Sequence, residues 1–271
     1  MPALAGRSFF YLYSMEYALI TGASKGIGRA IARELATRGY NILLVARSED
    51  LLQQLAGELA SRSGIAADWL ALDLSLPDAP QNVCDWCRAK GYAVSILVNN
   101  AGYGLSGPFD RYGLQQQWNM MQLNMMTLVG LTRLLLPDLQ SRPKAYILNV
   151  ASSAAYQAVP KLTLYAATKS FVLAFSRGLH QELRDTNVSV TCVSPGATDT
   201  DFPNRAQLGE KGMRAAEKFN MSPDTVAALA IKAMFSRKPE IITGLVNKLG
   251  AAMAWLLPKT MVERTAMKIY E

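Results

Sequence analysis

The chain has 271 residues, half of them hydrophobic and 18% charged, which is enough to bury the core of one α/β domain. No apolar run approaches the roughly 18 residues that a membrane-spanning helix needs. The net charge of +7 and the pI near 9.3 favour anionic ligands such as phosphates or acyl carriers, although a generally basic surface explains the same values.

Short apolar runs alternate with stretches of helical periodicity along most of the chain. Residues 1–14 precede the first such run, and we expect them to be an extension outside a single domain formed by residues 15–271. Seven runs are predicted strands: YALITG (17–22), NILLVA (41–46), ADWLALDLS (67–75), VSILVNNAG (94–102), KAYILNVASS (144–153), VSVTCVSPG (188–196) and EIITGL (240–245). Continuous apolar strands separated by helices indicate a doubly wound α/β fold with about seven parallel strands and helices on both faces. Ligands of such folds bind beyond the carboxyl ends of the strands.

The first strand ends in a glycine-rich loop, TGASKGIG (21–28). Glycines let the backbone approach a pyrophosphate closely, and free N–H groups at the start of the next helix attract anions. We therefore predict dinucleotide binding by Gly22, Ser24, Lys25, Gly26, Ile27 and Gly28. The same loop fits G-x-S-x-G, the nucleophile elbow of a serine hydrolase with Ser24 as nucleophile. That alternative is disfavoured because the only histidine, His180, lies in a predicted helix.

The second strand ends in Ala46 and Arg47, where a cofactor with a free ribose hydroxyl usually meets an acidic residue. A cation at this position instead suits a 2′-phosphate, and Lys25 supplies a second positive charge nearby. We therefore expect NADPH rather than NADH. The alternative is that Arg47 is a solvated residue preceding a helix.

The three cysteines, Cys84, Cys87 and Cys192, are too few for a disulfide framework. They fit a reducing compartment, so we expect a cytoplasmic protein. Cys84 and Cys87 form a single C-x-x-C, and no second ligand pair completes a zinc site. We expect core packing for both and predict no metal.

Seven motifs in a fixed order carry a family resemblance. They are TGASKGIG, Asp73 in ALDLS, NNAG (99–102), Asn124 in QLNMM, NVASS, YAATK and SPG (194–196). Over residues 16–246 the sequence resembles the short-chain dehydrogenase/reductase family, and in particular its branch that reduces long-chain 3-oxoacyl groups. The resemblance implies a Rossmann-type fold and an NADP(H)-dependent oxidoreductase.

The resemblance also assigns roles to single residues. It implies that Asp73 binds the adenine and that Thr198 and Thr200 hold the carboxamide of the cofactor. The other cofactor contacts that it implies are Leu74, Asn100, Ala101, Gly102, Tyr165, Lys169, Pro195 and Gly196.

The segment YAATK (165–169) places a tyrosine and a lysine on one helix face at i, i+4. Ketone reduction needs a proton donor at the carbonyl oxygen, and Tyr165 supplies one. A phenol usually has a pKa near 10, and a nearby ammonium such as that of Lys169 lowers it. Taken alone, such a pair is common in helices for purely structural reasons.

A serine and an asparagine complete the predicted catalytic set. A hydroxyl at the end of the fifth strand would bind the substrate oxygen, and the chemistry does not separate Ser152 from Ser153. The family spacing selects Ser152. The resemblance also implies that Asn124 positions a water that relays protons to Lys169.

The predicted substrate is a lipophilic ketone or an acyl thioester. The candidate lining positions are mostly apolar: Tyr103, Leu105, Ala154, Ala155, Tyr156, Val159, Leu162 and Phe202. Such a rim also occurs in many α/β enzymes, so a general carbonyl or hydroxysteroid reductase remains an alternative. An NADP-sensing regulatory protein is a more distant one.

The C-terminal residues 249–271 form an apolar, methionine-rich extension, where many relatives end in glycine-rich sequence. It suits a substrate lid, a dimer contact, a helix on a membrane surface or core packing. We expect a homodimer through the helices that carry Asn124 and Tyr165. We expect no nucleic-acid partner, and we allow a peripheral membrane contact through 249–271.

Overall fold

The computed structural model describes residues 16–199, 202–218 and 220–270. The predicted extension 1–14 and the predicted cofactor residue Thr200 lie outside the described residues. Eleven α-helices occur in the part that is described: α1 Gly26–Ala36, α2 Glu49–Ser63, α3 Ala79–Ala89, α4 Leu114–Met121, α5 Thr127–Gln140, α6 Thr163–Glu182, α7 Phe202–Arg205, α8 Glu210–Lys218, α9 Pro223–Phe235, α10 Leu245–Leu256 and α11 Lys259–Tyr270.

All seven predicted strands are present in one sheet. They are β1 Glu16–Thr21, β2 Asn41–Ala46, β3 Ala67–Ala71, β4 Ala93–Asn99, β5 Ala145–Val150, β6 Val188–Ser194 and β7 Glu240–Ile242. The order is β3-β2-β1-β4-β5-β6-β7, and every pair is parallel. The prediction of a single doubly wound, Rossmann-type α/β fold is therefore confirmed.

The central strands are buried on both faces, which explains their unbroken apolar sequences. Every residue of β2 and β6 is buried. Because side chains alternate along a strand, Ile20 and Leu44 pack under α1, α2 and α9, whereas Leu19 and Leu43 pack under α3 and α5. The two helical layers thus enclose two separate apolar cores.

The sheet reverses its winding between β1 and β4. From β1 the chain moves outward to β2 and β3, and it then crosses back to place β4 on the other side of β1. The loops after β1 and β4 therefore separate and leave a crevice at the carboxyl edge, where ligands of this fold class bind.

None of the described helices is long and apolar enough to cross a membrane. Cys84 and Cys87 are buried free thiols, as predicted, and Cys192 is also a buried free thiol. Within residues 16–199, 202–218 and 220–270, no group of three or more His, Cys, Asp or Glu side chains is arranged to hold a metal ion.

Candidate active site

The glycine loop after β1 is shaped by backbone constraints that a side chain would violate. Gly22 and Gly26 have φ values of 64° and 55°, a region that glycine enters without strain. At Gly28, an added Cβ would lie 2.4 Å from both the Gly22 carbonyl oxygen and the Asn100 side-chain amide. The loop therefore folds tightly onto itself and exposes its backbone to the crevice.

Asn100 of the NNAG segment holds this loop in place. Its Nδ2 donates to the carbonyl oxygens of Thr21 and Gly22, at 2.9 and 3.1 Å. Its backbone N–H donates to the Thr21 hydroxyl at 3.0 Å. The two strand ends on either side of the crossover point are thus tied together by one side chain.

A cleft of about 600 Å³ runs along the carboxyl edge of the sheet. It lies within the size range of small-molecule and cofactor sites. Most of the residues predicted to bind cofactor or substrate line it: Gly22, Ser24, Lys25, Gly26, Ile27, Arg47, Asp73, Leu74, Asn100, Ala101, Gly102, Ser152, Tyr165, Lys169, Pro195, Gly196 and Thr198. Gly28 and Asn124 do not line the cleft. Gly28 packs against Gly22 and Asn100, and Asn124 bonds to Tyr103 and Thr168, so both contact residues near the cleft.

The cleft end nearest β2 and β3 is rich in cations. Lys25 and Arg47 are exposed there, and Arg205 from α7 lines the same cleft. Burial of Asp73 opposes its ionisation, but hydrogen bonds from Ser75 and the positive charges of Arg47 and Arg205 lower its pKa overall. Asp73 is therefore a charged acceptor beside cations, which suits the sugar and base end of a phosphorylated nucleotide.

The side chains of Tyr165 and Lys169, both on α6, are buried next to each other. They are 7% and 5% exposed, and the Lys169 ammonium is 5.9 Å from the centre of the Tyr165 ring. Lys169 Nζ donates to the Val150 carbonyl oxygen at 2.8 Å, which fixes its direction. Burial lowers the pKa of Lys169 to about 8, because the charged form loses its hydration.

Ser152 and Ser153 both line the cleft at the end of β5. The Ser152 hydroxyl oxygen accepts a hydrogen bond from the Ala154 N–H at 3.1 Å, which leaves the Ser152 O–H available as a donor. The Ser153 backbone N–H donates to the Pro195 carbonyl at 2.7 Å and ties this turn to the SPG segment.

Asn124 sits in a π-helical turn, Gln122–Met126, between α4 and α5. Such insertions are frequent at functional sites. Its Oδ1 accepts from the Tyr103 N–H at 3.1 Å, and its Nδ2 donates to the Tyr103 carbonyl and the Thr168 hydroxyl at 2.9 and 3.0 Å. The side chain therefore fastens the NNAG segment to α6.

Three predicted substrate-lining residues do not line this cleft. Leu105 packs against the apolar cluster behind it, and Ala155 is buried against α6. Tyr156 turns away, and its hydroxyl bonds to Ser194 Oγ at 3.1 Å and Glu240 Oε1 at 2.5 Å. Ala155 and Tyr156 do not line the cleft because Ser153–Tyr156 forms a turn of 3₁₀ helix, which aims consecutive side chains in different directions. Leu105 lines a separate small cavity instead. The remaining candidates, Tyr103, Ala154, Val159, Leu162 and Phe202, line the cleft.

The hydrolase alternative lacks its base. Ser24 lines the cleft, but His180 lies near the end of α6, where its Nδ1 is 2.7 Å from the Val190 carbonyl oxygen. His180 does not line the cleft, so it is not placed to activate Ser24.

The sequence alone did not predict several residues that line the cleft, because they belong to no recognisable motif. Arg205 lies with its guanidinium 4.6 Å from the centre of the Tyr103 ring. Val246 and Asn247 of α10 and Ala266 of α11 also line the cleft. An added Cβ at Gly196 would lie 2.1 Å from Asn247 Nδ2, so this amide packs directly on the SPG turn. The apolar character of 249–271 was the only signal that this part of the chain approaches the site.

Residues 16–211 match the family described as short chain dehydrogenase. The chain is 38% identical over 185 residues to a very-long-chain 3-oxoacyl-CoA reductase of Anas platyrhynchos, a match covering 66% of this chain and 58% of that protein. It is 31% identical over 243 residues to the 17-beta-hydroxysteroid dehydrogenase type 3 of Mus musculus, covering 88% of this chain and 78% of that protein. A short-chain dehydrogenase from Sphingobium yanoikuyae, solved in complex with NADPH, superimposes with a TM-score of 0.78 at 31% identity, covering 89% of this chain and 94% of that one.

The parallel sheet, the glycine loop and the length of the matched segments all indicate the same family. The chain belongs to the short-chain dehydrogenase family. It spans less than two thirds of the length of the Anas reductase that it matches.

Proposed function

We propose that this protein reduces a ketone with NADPH, and that Tyr165 donates the proton. The observation that carries the proposal is that Ser152, Tyr165 and Lys169 line the same cleft as the glycine loop, with the Lys169 ammonium 5.9 Å from the centre of the Tyr165 ring. A proton donor, a hydrogen-bond donor and a buried cation are the groups that carbonyl reduction requires.

The residues of the cleft fit NADPH. The glycine loop is packed so tightly that a Cβ at Gly28 would collide with the Gly22 carbonyl oxygen and the Asn100 amide, and Gly22 and Gly26 of this loop line the cleft. Such a loop lets the backbone approach a pyrophosphate closely. Lys25 and Arg47 supply positive charge where a 2′-phosphate would lie, and no acidic residue ends β2. The relative from Sphingobium yanoikuyae was solved with this cofactor.

Bound NADPH would supply the hydride that reduces the carbonyl carbon. Tyr165 would give its phenolic proton to the carbonyl oxygen, and the free O–H of Ser152 would orient that oxygen. The buried Lys169 ammonium would stabilise the negative charge left on the phenol. Asn124 acts at a distance, because its side chain positions Tyr103 and Thr168 beside these groups.

A lipophilic substrate fits the apolar side of the cleft. Val159, Leu162, Phe202 and Ala266 line it, and the first two are almost fully buried. The similarity to a very-long-chain 3-oxoacyl-CoA reductase supports a 3-oxoacyl thioester. The similarity to a 17-beta-hydroxysteroid dehydrogenase, which extends over 88% of this chain, supports a steroid ketone as the second candidate.

A panel of ketones tests the proposal. NADPH oxidation is followed with 3-oxoacyl thioesters of increasing chain length, a steroid ketone and a small soluble ketone. We expect turnover to rise with apolar length, and we expect Tyr165→Phe to lose at least about 100-fold in kcat while its NADPH dissociation constant stays unchanged. Tight NADPH binding without turnover of any ketone would favour the NADP-sensing alternative. Full activity of Tyr165→Phe would remove Tyr165 as the proton donor.

We also propose that the protein is a cytoplasmic homodimer. The helices that carry Asn124 and Tyr165 expose large apolar side chains, namely Leu114, Trp118, Met126 and Phe171. A second copy would cover these side chains, and analytical ultracentrifugation would report the mass of the assembly.

The three free buried thiols fit a reducing compartment. The C-terminal segment 249–271 is proposed to make a peripheral contact with a membrane.

A further inference from the structure

Helices α10 and α11 form one wall of the cleft. Val246, Asn247 and Ala266 line it, and Ala254 is 1% exposed on the same side of α10 as Asn247, two turns further on. The inner side of α10 thus contacts the rest of the fold at Asn247 and Ala254.

The opposite face of α10 is apolar and uncovered. Leu245, Leu249 and Leu256 are 75%, 60% and 70% exposed. At about 100° per residue they project on the side opposite Ala254. We use the term C-terminal face for these three residues together with Met253, Trp255 and Met261, which are also exposed. An exposed stripe three turns long is larger than the scattered apolar residues of an ordinary surface.

Cations surround the C-terminal face. Lys248, Arg264 and Lys268 belong to the same two helices and are all exposed. Lys259 is also exposed, but its Nζ donates to the Ala254 carbonyl at 2.6 Å on the inner side. The one acidic residue among residues 245–268, Glu263, is only partly exposed. A strip of leucine and tryptophan flanked by lysine and arginine is the pattern of helices that lie in the surface of an anionic bilayer.

We infer that the C-terminal face docks on anionic lipid and that the lipophilic substrate enters the cleft directly from the bilayer. The entry step rests on the proposed function, because it requires a lipophilic ketone. The same two helices supply both the lipid-facing leucines and the cleft residues Val246 and Ala266, so docking brings the cleft wall to the membrane surface. Trp255, 80% exposed, is of the residue type that favours this interface.

A second copy of the chain is a poorer occupant of this face. A two-fold contact joins the same patch of both copies, so it would bring the lysines and arginine of this patch from both copies into one interface that has few acidic partners. Like charges brought together oppose association. Anionic head groups would instead offset the positive charge of Lys248, Arg264 and Lys268.

Co-sedimentation with vesicles tests the docking. The full chain is mixed with vesicles of phosphatidylcholine alone or of phosphatidylcholine with phosphatidylglycerol. We expect binding to the anionic vesicles, at least roughly tenfold weaker binding to the neutral ones, and release by salt. The double variant Leu249→Ser/Leu256→Ser should lose binding, and Lys248→Glu/Lys268→Glu should lose the preference for anionic lipid. Leu76→Ser, which changes a leucine 47% exposed outside these helices, is the matched control and should bind normally.

Turnover measurements separate docking from the proposed function. A long-chain ketone is supplied within anionic vesicles, and a short ketone is supplied in solution. The leucine variants should raise KM for the vesicle-borne ketone and leave turnover of the soluble one unchanged. Equal binding to both kinds of vesicle, or a wild-type dimer that the leucine variants convert to monomer, would overturn the inference. Vesicle binding without turnover of any ketone would overturn the proposed function and the entry step but not the docking.

Discussion

The two sides of the cleft are built in different ways. The proposed cofactor side is centred on one short segment, Thr21–Gly28, which Asn100 holds in place and beside which Arg47 adds positive charge. The catalytic side draws on β5, α6, the turn after β6 and the C-terminal helices, which are far apart in the chain. The first depends on a backbone shape with no space for a Cβ at Gly22 or Gly28, and the second is an assembly of side chains from distant segments. We expect changes on the first side to weaken NADPH binding and changes on the second to lower turnover.

The largest effect is expected at Gly28. Gly28→Ala places a Cβ 2.4 Å from the Gly22 carbonyl oxygen, and this contact forces the glycine loop out of shape. We expect NADPH affinity to fall at least about 100-fold, equivalent to ~2.7 kcal/mol, and the melting temperature to drop. Fluorescence titration and calorimetry measure the two effects.

Gly57→Ala is the matched control. Gly57 is also a helix glycine, but an added Cβ there meets nothing within 4 Å. Alanine at such a site should stabilise the protein by about 0.4–1 kcal/mol. If both variants bound NADPH like the wild type, the cofactor side would not depend on the tight loop.

Arg47 tests the charge on the cofactor side. Arg47→Ala should weaken NADPH roughly 10- to 100-fold, because a hydrogen bond to a charged group contributes about 1.5–3 kcal/mol. NADH should be almost unaffected. Arg133→Ala, another exposed arginine, lies on α5 away from the cleft and should change neither affinity. Equal losses for NADPH and NADH would remove the 2′-phosphate role.

The sequence predicted what local patterns determine. Seven apolar runs predicted seven strands. The motifs that follow the first and fourth strands predicted that Gly22 and Asn100 would line the cleft, and they do. The i, i+4 spacing also placed Tyr165 and Lys169 together, because a helix fixes that geometry.

Long-range packing could not be predicted in the same way. Tyr156 lies four residues after Ser152, the proposed catalytic serine, but its hydroxyl bonds to Glu240, 84 residues away, and no local pattern predicts that partner. Asn247 reaches Gly196 from across the fold for the same reason. Arg205 enters the cleft from a four-residue helix, which is too short to have a recognisable period.

The buried charge of Lys169 gives the catalytic side a pH dependence. Because burial lowers its pKa to about 8, the ammonium is lost as the pH rises through that value. We expect kcat/KM for NADPH, which reports groups of the free enzyme, to fall about tenfold per pH unit above 8. Lys169→Arg keeps a positive charge and should lack this limb, and a flat wild-type profile to about pH 9.5 would contradict the assignment.

Unfolding does not account for the expected fall in kcat/KM above pH 8. The unfolded chain holds the lysine proton up to its ordinary pKa near 10.5, so between 8 and 10.5 it binds more protons than the native state. The contribution of Lys169 to the free energy of unfolding therefore rises with pH over this range. A melting temperature that does not fall between pH 8 and 9 while activity falls would separate the two effects.

The smallest expected effect lies where α10 meets the SPG turn. Asn247 Nδ2 donates to the Thr243 carbonyl at 2.7 Å and occupies the space that a Cβ on Gly196 would need. Asn247→Ala should lower kcat/KM for NADPH only a few-fold and cost about 1 kcal/mol of stability. Asn82→Ala, which removes an i, i−4 hydrogen bond from an α3 asparagine to the carboxylate of Asp78, the residue before α3, should leave kcat/KM unchanged.

A double-mutant cycle measures this contact directly. Gly196 has no positive φ, and the three atoms nearest to an added Cβ all belong to Asn247, so the strain in Gly196→Ala comes from that side chain. Gly196→Ala alone should be destabilising, and Asn247→Ala should relieve it, with a coupling of about 0.5–3 kcal/mol in thermal or urea unfolding. Additive effects would mean that α10 does not press on the turn, and the catalytic side would then be independent of the C-terminal helices.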